Sequence, residues 1–568
     1  MEKEWFYLKN GVVGGPVARQ TLRKLADEEH IELGTPIKRG EDGRWQKASD
    51  MAWIFPSSYL KEDEKHPAPR LSKPDSEKTG GFFLEGPIIC PHCWHNFLHE
   101  SILYISRHQE LIGDPVLGDV QQRFLPSRFN SRGHAIDSRG MECEDLACPR
   151  CHLKIPDSVT KLSSLYFSII GAPSSGKSYF LTSMINRIRK NLSRFFDYSF
   201  IDADTVFNSV VNDYEQLLFA NTSPDSFVTL PKTDLRGDMF STQITLDRMI
   251  MDLPKPFVYK IEPLLAHVAS RKMASDLTRN IVLYDNAGEH FLPGQENPNN
   301  PATKHLTYSN GLIFLFDPSI DSDMRLKCES EDPQLKDISK IVNQSVLLSE
   351  MICRVGKNIG LKPGEKYENP LIVLVSKYDM WESLLCDDIR NITPWKYDSK
   401  EKIYKFDYNA VANVSYHMRE MMFEFKPDIV TAAESFSKKV FFLPVSALGS
   451  PCVENRSPTK AGGRAYGTRP SQINPLWCET PILLLLALSG YIPICGRSEI
   501  AAEEPVSPHF NGDNVGLLIP GTDEMIRLPS VYFGTTLFDT KSEKWFRVPG
   551  TEKSTAINGN DGGDFWDN

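Results

Sequence analysis

At 568 residues the chain is too long for one ordinary core and implies about three or four domains. Hydrophobic residues make up 40% and charged residues 24%, the balance of a soluble globular protein. A net charge of −10 argues against nonspecific grip on a nucleic-acid backbone. The start, Met1-Glu2-Lys3-Glu4-Trp5, has no apolar signal core. The most hydrophobic run, Pro481 to Ile494, is too short to span a bilayer comfortably, carries Pro493, and reads as a buried helix. These features predict a cytoplasmic protein with no membrane partner. Its 11 cysteines are expected to be reduced thiols, some of them metal ligands.

Residues 1–60 read as a small module dense in aromatics. Turn signals at Gly11 to Pro16 and Gly40 to Gly43 flank an amphipathic stretch from Thr21 to Ala26. Trp5-Phe6-Tyr7, Gly14-Gly15-Pro16-Val17, Leu22, Leu25, Gly34-Thr35 and Trp45 resemble the GYF-like module of bacterial proteins. The resemblance covers Met1 to Tyr59 and implies an α+β fold. Its eukaryotic relatives take proline-rich peptides on an aromatic face, since stiff extended peptides lose little entropy on docking. This chain lacks the full G-Y-F signature, and a reading of the aromatics as a tiny core stands equally beside peptide binding. Residues 61–81, rich in Lys, Glu, Pro and Ser, read as a flexible linker.

Residues 82–159 carry two C-P-x-C knuckles, Cys90-Pro91-His92-Cys93 and Cys148-Pro149-Arg150-Cys151. Each tight turn can present two thiolates, and four thiolates close a tetrahedral structural Zn²⁺ site with no open position for catalysis. A disulfide or free-thiol reading is the alternative. The expectation is a zinc ribbon with an insertion between its knuckles. Cys143, His92, His95, His99 and His152 are read as neighbours rather than ligands. The mixed charges of the segment favour a structural or protein-binding role over nucleic acid.

Residues 160–495 read as a nucleotide domain. The strand-like run Leu165 to Ile170 leads into Gly171-Ala172-Pro173-Ser174-Ser175-Gly176-Lys177-Ser178, followed by apolar residues at helical spacing from Tyr179. This is the phosphate loop G-x-x-x-x-G-K-[ST] in the context it requires. Backbone N–H groups and a helix N-terminus face phosphate there, Lys177 reaches the β/γ-phosphates and Ser178 holds Mg²⁺. Further apolar strands are expected at Ile281 to Tyr284, Leu312 to Phe316, Leu371 to Val375 and Val440 to Val445, with helical patterns between several of them. That alternation predicts a mostly parallel α/β sheet.

Chemistry-bearing residues follow these strands in order. Asp285 and Gly288 can serve the Mg²⁺ and the γ-phosphate. In Ser376-Lys377-Tyr378-Asp379, the Asp379 carboxylate can accept guanine N1–H and N2–H₂, a donor pair that adenine lacks on that edge. Lys377 could lay its stem along the base. Ser446-Ala447 offers small residues that let backbone N–H groups approach the guanine O6. Thr233, with Thr229 as competitor, is the candidate switch threonine.

This ordered set resembles the P-loop GTPases of the translation-factor and Ras class, over roughly Leu162 to Leu488. The resemblance implies GTP/GDP and Mg²⁺ as cofactors. Two departures stand out: Ser376 replaces the usual Asn or Thr, and Glu289 stands where small GTPases place a water-orienting glutamine. A carboxylate there repels the γ-phosphate and cannot donate as an amide does, so hydrolysis is less secure than binding. His290 is the candidate substitute.

Residues 496–568 read as a C-terminal extension, with Val531 to Phe538 and Lys544 to Val548 as strands that could pair and a disordered end from Asn558. The combination of modules resembles prokaryotic multidomain GTPases of the TRAFAC class, including double-GTPase types associated with bacterial conflict or defence. The expected function is a guanine-nucleotide-dependent regulatory switch that signals to protein partners and slowly hydrolyses GTP. Two other readings stay open: a pseudo-GTPase scaffold that never hydrolyses nucleotide, and a regulator that binds nucleic acid through its zinc ribbon.

Overall fold

A computed structural model describes residues 5–9, 12–27, 30–31, 35–40, 46–48, 86–231, 241–246, 249–265, 267, 270–285, 305–385, 389–455, 465–496 and 500–550. The chain divides into two compact units, Met1–Arg70 and Leu71–Asn568. The first holds a four-stranded antiparallel sheet in the order Val12–Val17, Trp5–Lys9, Pro36–Arg39, Gln46–Lys47. The helix Arg19–Asp27 buries Leu22 and Ala26, one turn apart on one face, in a core with Trp5, Ile31, Ile37 and Ala48.

The second unit is built on a seven-stranded sheet. In chain order its elements are β1 (Ser164–Gly171), α1 (Lys177–Phe196), β2 (Tyr198–Asp202), α2 (Ser209–Phe219), β3 (Phe257–Pro263), β4 (Arg279–Asp285), β5 (Gly311–Phe316), α3 (Gln344–Ile359), β6 (Leu371–Val375), α4 (Tyr408–Phe425), α5 (Pro427–Phe436), β7 (Val440–Pro444) and α6 (Thr480–Leu488). The spatial order is β2-β3-β4-β1-β5-β6-β7. Only β3 runs against the others, through antiparallel pairs with β2 and β4. The sheet is therefore mostly parallel. Strands covered on both faces read as unbroken apolar runs: every residue of β5, β6 and the edge strand β7 is buried.

The two faces meet different partners. Along β3 and β4, Phe257, Tyr259, Ile261, Ile281 and Leu283 join the core that contains Phe180, Met184 and Ile188 of α1. The alternating residues Val258, Val282 and Tyr284, with Tyr166 of β1, face a second core. That core is supplied by the cysteine segment and by Ile244, Leu246 and Leu253 of the hairpin Ser241–Leu246/Met249–Pro254. The two-residue period of a strand makes this division. In this part of the sheet the cysteine segment covers a face.

The chain leaves β1 toward β2–β4, then returns past β1 to β5–β7. The neighbours of β1 thus diverge at its carboxyl end, which opens the crevice where such sheets place ligands. Of the apolar run Pro481 to Ile494, only the part up to Leu488 is helical, in α6, and it is buried along most of its length; residues 489–494, which include Gly490 and Pro493, leave the helix as turn and bridge. Among the described residues no helix is long and apolar enough to cross a membrane.

Candidate functional site

The loop Gly171–Ser178 lies in that crevice, between the end of β1 and the start of α1. Gly171 must be small, because a Cβ there would stand 2.8 Å from the Leu315 carbonyl oxygen of the neighbouring strand. Ser174 (φ 63°) and Gly176 (φ 86°) take left-handed conformations, the backbone geometry from which anion nests are built. Gly176 caps α1 with no side-chain hydrogen bond to the first turn, leaving the positive end of the dipole without an acidic residue. The Lys177 ammonium donates to the Gly171 and Ala172 carbonyls at 3.0 and 2.8 Å.

Asp285, the last residue of β4, accepts the Ser178 hydroxyl at 3.1 Å. The parallel register sets Asp285 opposite Ile169, close to where the loop begins. Burial pushes the Asp285 carboxyl above its ordinary range, against the pull of Lys177 and of the Ser178 hydroxyl. Its Oδ1 and the Ser175 Oγ are buried and lack a hydrogen-bond partner among the described residues. A hydroxyl beside a carboxylate with a lone oxygen to spare is the donor set of a hard divalent cation such as Mg²⁺. The residues therefore fit a nucleotide phosphate with Mg²⁺: the loop and Lys177 would hold the phosphates, and Ser178 and Asp285 the cation.

A second cluster forms at the ends of β6 and β7. Lys377 adopts φ 55°, so the chain turns sharply after Ser376 and presents Asp379. The Ser446 hydroxyl donates to Asp379 Oδ1 and accepts the Gly449 N–H at 2.7 Å. Burial pushes the Asp379 carboxyl up, and the Ser446 hydrogen bond opposes it. Gly449 is left-handed (φ 74°), and a Cβ there would stand 1.9 Å from the Asn474 carbonyl oxygen, so this turn tolerates no side chain. The Ala447 carbonyl accepts the Ser183 hydroxyl of α1 at 2.8 Å. That bond ties the Asp379–Ser446 cluster to the helix that starts at the phosphate loop.

Some partners were invisible in the sequence. The Lys377 ammonium pairs with Asp317 at 2.7 Å and donates to Ser319 Oγ and Gln334 Oε1 at 2.7 and 2.8 Å. Burial would lower its pKa, but Asp317 reverses that and holds the ammonium charged. Asp317 follows the apolar end of β5 in an Asp-Pro turn. The turn was readable, the partner was not. Tyr179 sends its hydroxyl to the segment after α2, where it accepts the Leu230 N–H at 2.9 Å. Thr229 donates to the Tyr466 carbonyl at 3.1 Å. Thr233, Gly288, Glu289 and His290 lie outside the described residues.

The four cysteines converge as well. Cys90, Cys93, Cys148 and Cys151 are all buried, with their sulfurs within 4.8 Å of one another. The Cys90–Cys151 and Cys93–Cys148 separations are 3.8 and 3.7 Å. Tetrahedral Zn–S bonds of about 2.3 Å would set sulfurs roughly 3.8 Å apart, so the set fits Zn²⁺. Each knuckle sits in a hairpin, Ile88–Ile89/Asn96–Phe97 and Leu146–Ala147/Lys154–Ile155. Each repeats the same local bonds: His92 N–H to Cys90 Sγ and Arg150 N–H to Cys148 Sγ, both at 3.4 Å. Trp94 and His152, each following the second cysteine of its knuckle, are left-handed. The neighbours are otherwise engaged: His92 Nε2 meets the Lys154 carbonyl, His152 Nδ1 meets Asp114, and the Cys143 thiol meets Asp137.

No family model matches the chain, and no curated protein matches it. Among solved structures it is similar to Era in complex with MgGDPNP and nucleotides 1506–1542 of 16S ribosomal RNA, at 12% identity and a TM-score of 0.19. The likeness covers 60% of this chain and 60% of Era, so the chain spans less than two thirds of that neighbour's length.

Proposed function

We propose that this chain binds a guanine nucleotide with Mg²⁺ and works as a nucleotide-dependent regulatory switch. The observation that carries the reading is the bond network from Asp379 through Ser446 and Ala447 to Ser183, which joins a base-side carboxylate to the phosphate-loop helix. In this reading Gly171 to Ser178 and Lys177 hold the phosphates, and Asp379 accepts the guanine N1–H and N2–H₂. Mg²⁺, when bound, supplies neutralisation of phosphate charge, and Ser178 and Asp285 orient it. Thr233 and Gly288 serve as the switch pair. Hydrolysis proceeds by in-line attack of water on the γ-phosphate and stays slow until a partner completes the site, because Glu289 cannot donate as a glutamine does.

The four-cysteine centre takes Zn²⁺ as a structural ion, and the Met1–Arg70 unit recruits protein partners as its GYF-like resemblance implies. A cytoplasmic role in bacterial conflict or defence follows from the same family resemblance. Titration with mant-GTP and mant-ATP tests the core of the proposal. The unmodified chain should prefer GTP, and Asp379→Asn should lose at least about 100-fold of that preference, since a site built on buried hydrogen bonds rejects a mismatched base strongly. Equal affinities for the two nucleotides, or GTP binding unchanged by Asp379→Asn, refute it. Lys177→Ala should abolish binding. Multiple-turnover phosphate release then separates a GTPase from a scaffold that only binds.

A further inference from the structure

Tyr284 and Asp285 are consecutive on β4 and so point to opposite faces of the sheet. Asp285 meets Ser178 on the α1 side. Tyr284, fully buried on the other side, donates its hydroxyl to the Pro91 carbonyl at 2.6 Å and accepts the Trp94 indole N–H at 3.2 Å. Pro91 and Trp94 are the residues that follow Cys90 and Cys93. The tyrosine hydroxyl is thus clamped by the two residues that directly follow the cysteines of one knuckle.

The clamp extends to both sides of the phosphate loop's origin. Tyr284 lies opposite Ser168 in the β1–β4 ladder, three residues before Gly171. The Ser168 hydroxyl meets His305 Nδ1 and Ser309 Oγ, each at 2.6 Å. The His305 ring stacks on Tyr284 with centroids 4.7 Å apart, and Trp94 lies 5.9 Å from the same imidazole.

We propose that Trp94 and Tyr284 are positioning residues of the nucleotide site, through which the four-cysteine knuckle fixes the end of β4 and couples its own metal to the binding of Mg²⁺-nucleotide. The inference rests on the nucleotide reading above. Neither residue touches nucleotide. Tyr284 acts through its backbone continuity with Asp285, and Trp94 acts through Tyr284. Coupling between bound ions is reciprocal, so nucleotide must hold the knuckle metal as firmly as that metal holds the nucleotide site.

The test uses the full chain, its Tyr284→Phe and Trp94→Phe variants, and the double variant. Tyr284→Phe keeps the ring on His305 and removes only the hydroxyl; Trp94→Phe removes only the indole donor and some bulk. Mant-GTP binding is followed over a Mg²⁺ titration, and transfer of Zn²⁺ to a metallochromic dye is followed with and without GTP·Mg²⁺. The Mg²⁺ concentration at half-saturation should rise about 5- to 20-fold in each single variant, with little further rise in the double. Nucleotide should slow Zn²⁺ release from the unmodified chain and not from Tyr284→Phe. Mant-GDP affinity in chelator-free buffer without added Mg²⁺, with the knuckle metal retained, should stay unchanged, which a general loosening of the fold would not allow. An unaltered Mg²⁺ requirement in Tyr284→Phe, or Zn²⁺ release indifferent to nucleotide in the unmodified chain, overturns the coupling while leaving the nucleotide reading intact. Absence of Mg²⁺-dependent guanine-nucleotide binding to the unmodified chain overturns the functional reading, and the coupling with it.

Discussion

Asp379 and Asp285 are buried carboxyls that the proposed site needs in their ionised form. For both, burial is the largest influence and pushes the pKa up, beyond what the neighbouring hydroxyls and Lys177 restore. The sign of the pH dependence follows. A surface aspartate stays ionised down to about pH 4. These two take up a proton at a higher pH, because leaving the carboxylate form relieves the cost of desolvation. Protonated Asp379 loses an acceptor for the guanine donors, and protonated Asp285 no longer attracts a cation. Guanine-nucleotide affinity should therefore fall on acidification, with the fall setting in above the ordinary aspartate range. Titrations between about pH 5 and 7.5 check this. The Asp379→Asn variant, with one titrating group fewer, should show a shallower fall at its weaker affinity. A flat profile in the unmodified chain would show that neither carboxylate carries binding.

At the scale of elements, α1 does more than begin at the phosphate loop. Arg187 grips Glu479, just ahead of α6, with Nε at 3.1 and 3.2 Å from the two carboxylate oxygens and Nη2 at 2.7 Å. Asn191, one turn on, donates to the same carboxylate at 2.6 Å. Glu479 is 1% exposed, so its charge depends on those donors, whereas the Arg187 side chain is 34% exposed and can rehydrate. Removing one partner of a fully buried pair costs about 3–5 kcal/mol. Because Arg187 can return to water, Glu479→Ala should cost less, about 2–3 kcal/mol, and Glu479→Gln, which keeps acceptor and shape, less again. Thermal unfolding of the two variants gives the order. A more stable Glu479→Ala variant would mean that desolvation of the pair outweighs its attraction.

The same elements show why part of the architecture was legible. β1, β4, β5, β6 and β7 announce themselves as short apolar runs because strands covered on both faces have no polar side to display. β2 passed unread: Ser199 and Ile201 alternate outward on an edge strand five residues long, a pattern too short to separate from a loop. The identical C-P-x-C spacing made the four-cysteine set readable across its long insertion. What periodicity cannot carry is the identity of distant partners. Lys377 meets Asp317 and Gln334, and Trp94 meets Tyr284, only because sheet order brings together segments far apart in sequence. The sequence assigned the aliphatic stem of Lys377 to the base from its place after β6; that its ammonium is held by Asp317, Ser319 and Gln334 was not readable there.

At the largest scale, the cysteine segment and the sheet share one core within the Leu71–Asn568 unit. Cys90, Cys93, Cys148 and Cys151 share a core with Tyr166, Val258, Val282 and Tyr284 of three strands, and Trp94 is buried between them. Residues 500–550 join the same body on another side. Thr536–Asp539 pairs with Lys544–Arg547, and Leu537, Tyr532 and Phe546 enter the main core. Asn409 and Asn413 of α4 bond the Thr536 and Phe538 backbone. Structural Zn²⁺ contributes about 10 kcal/mol to a small site of this kind. Uncovering one buried tryptophan costs roughly another 4–6 kcal/mol at 25 cal/mol per Å² over 150–250 Å². Together these match or exceed the 5–15 kcal/mol or so that ordinarily separates a folded domain from its unfolded chain. Stripping the metal should therefore not release an idle appendage from a stable nucleotide domain. It should lower the unfolding temperature of the main unit by at least about 10 °C, in one transition that includes the sheet. Calorimetry with and without a chelator, with thiol titration to confirm that the four cysteines are free, measures it. A main transition that keeps its temperature after the thiols have become reactive would show that the sheet holds its own face closed, and would separate the metal centre from the stability of the nucleotide site.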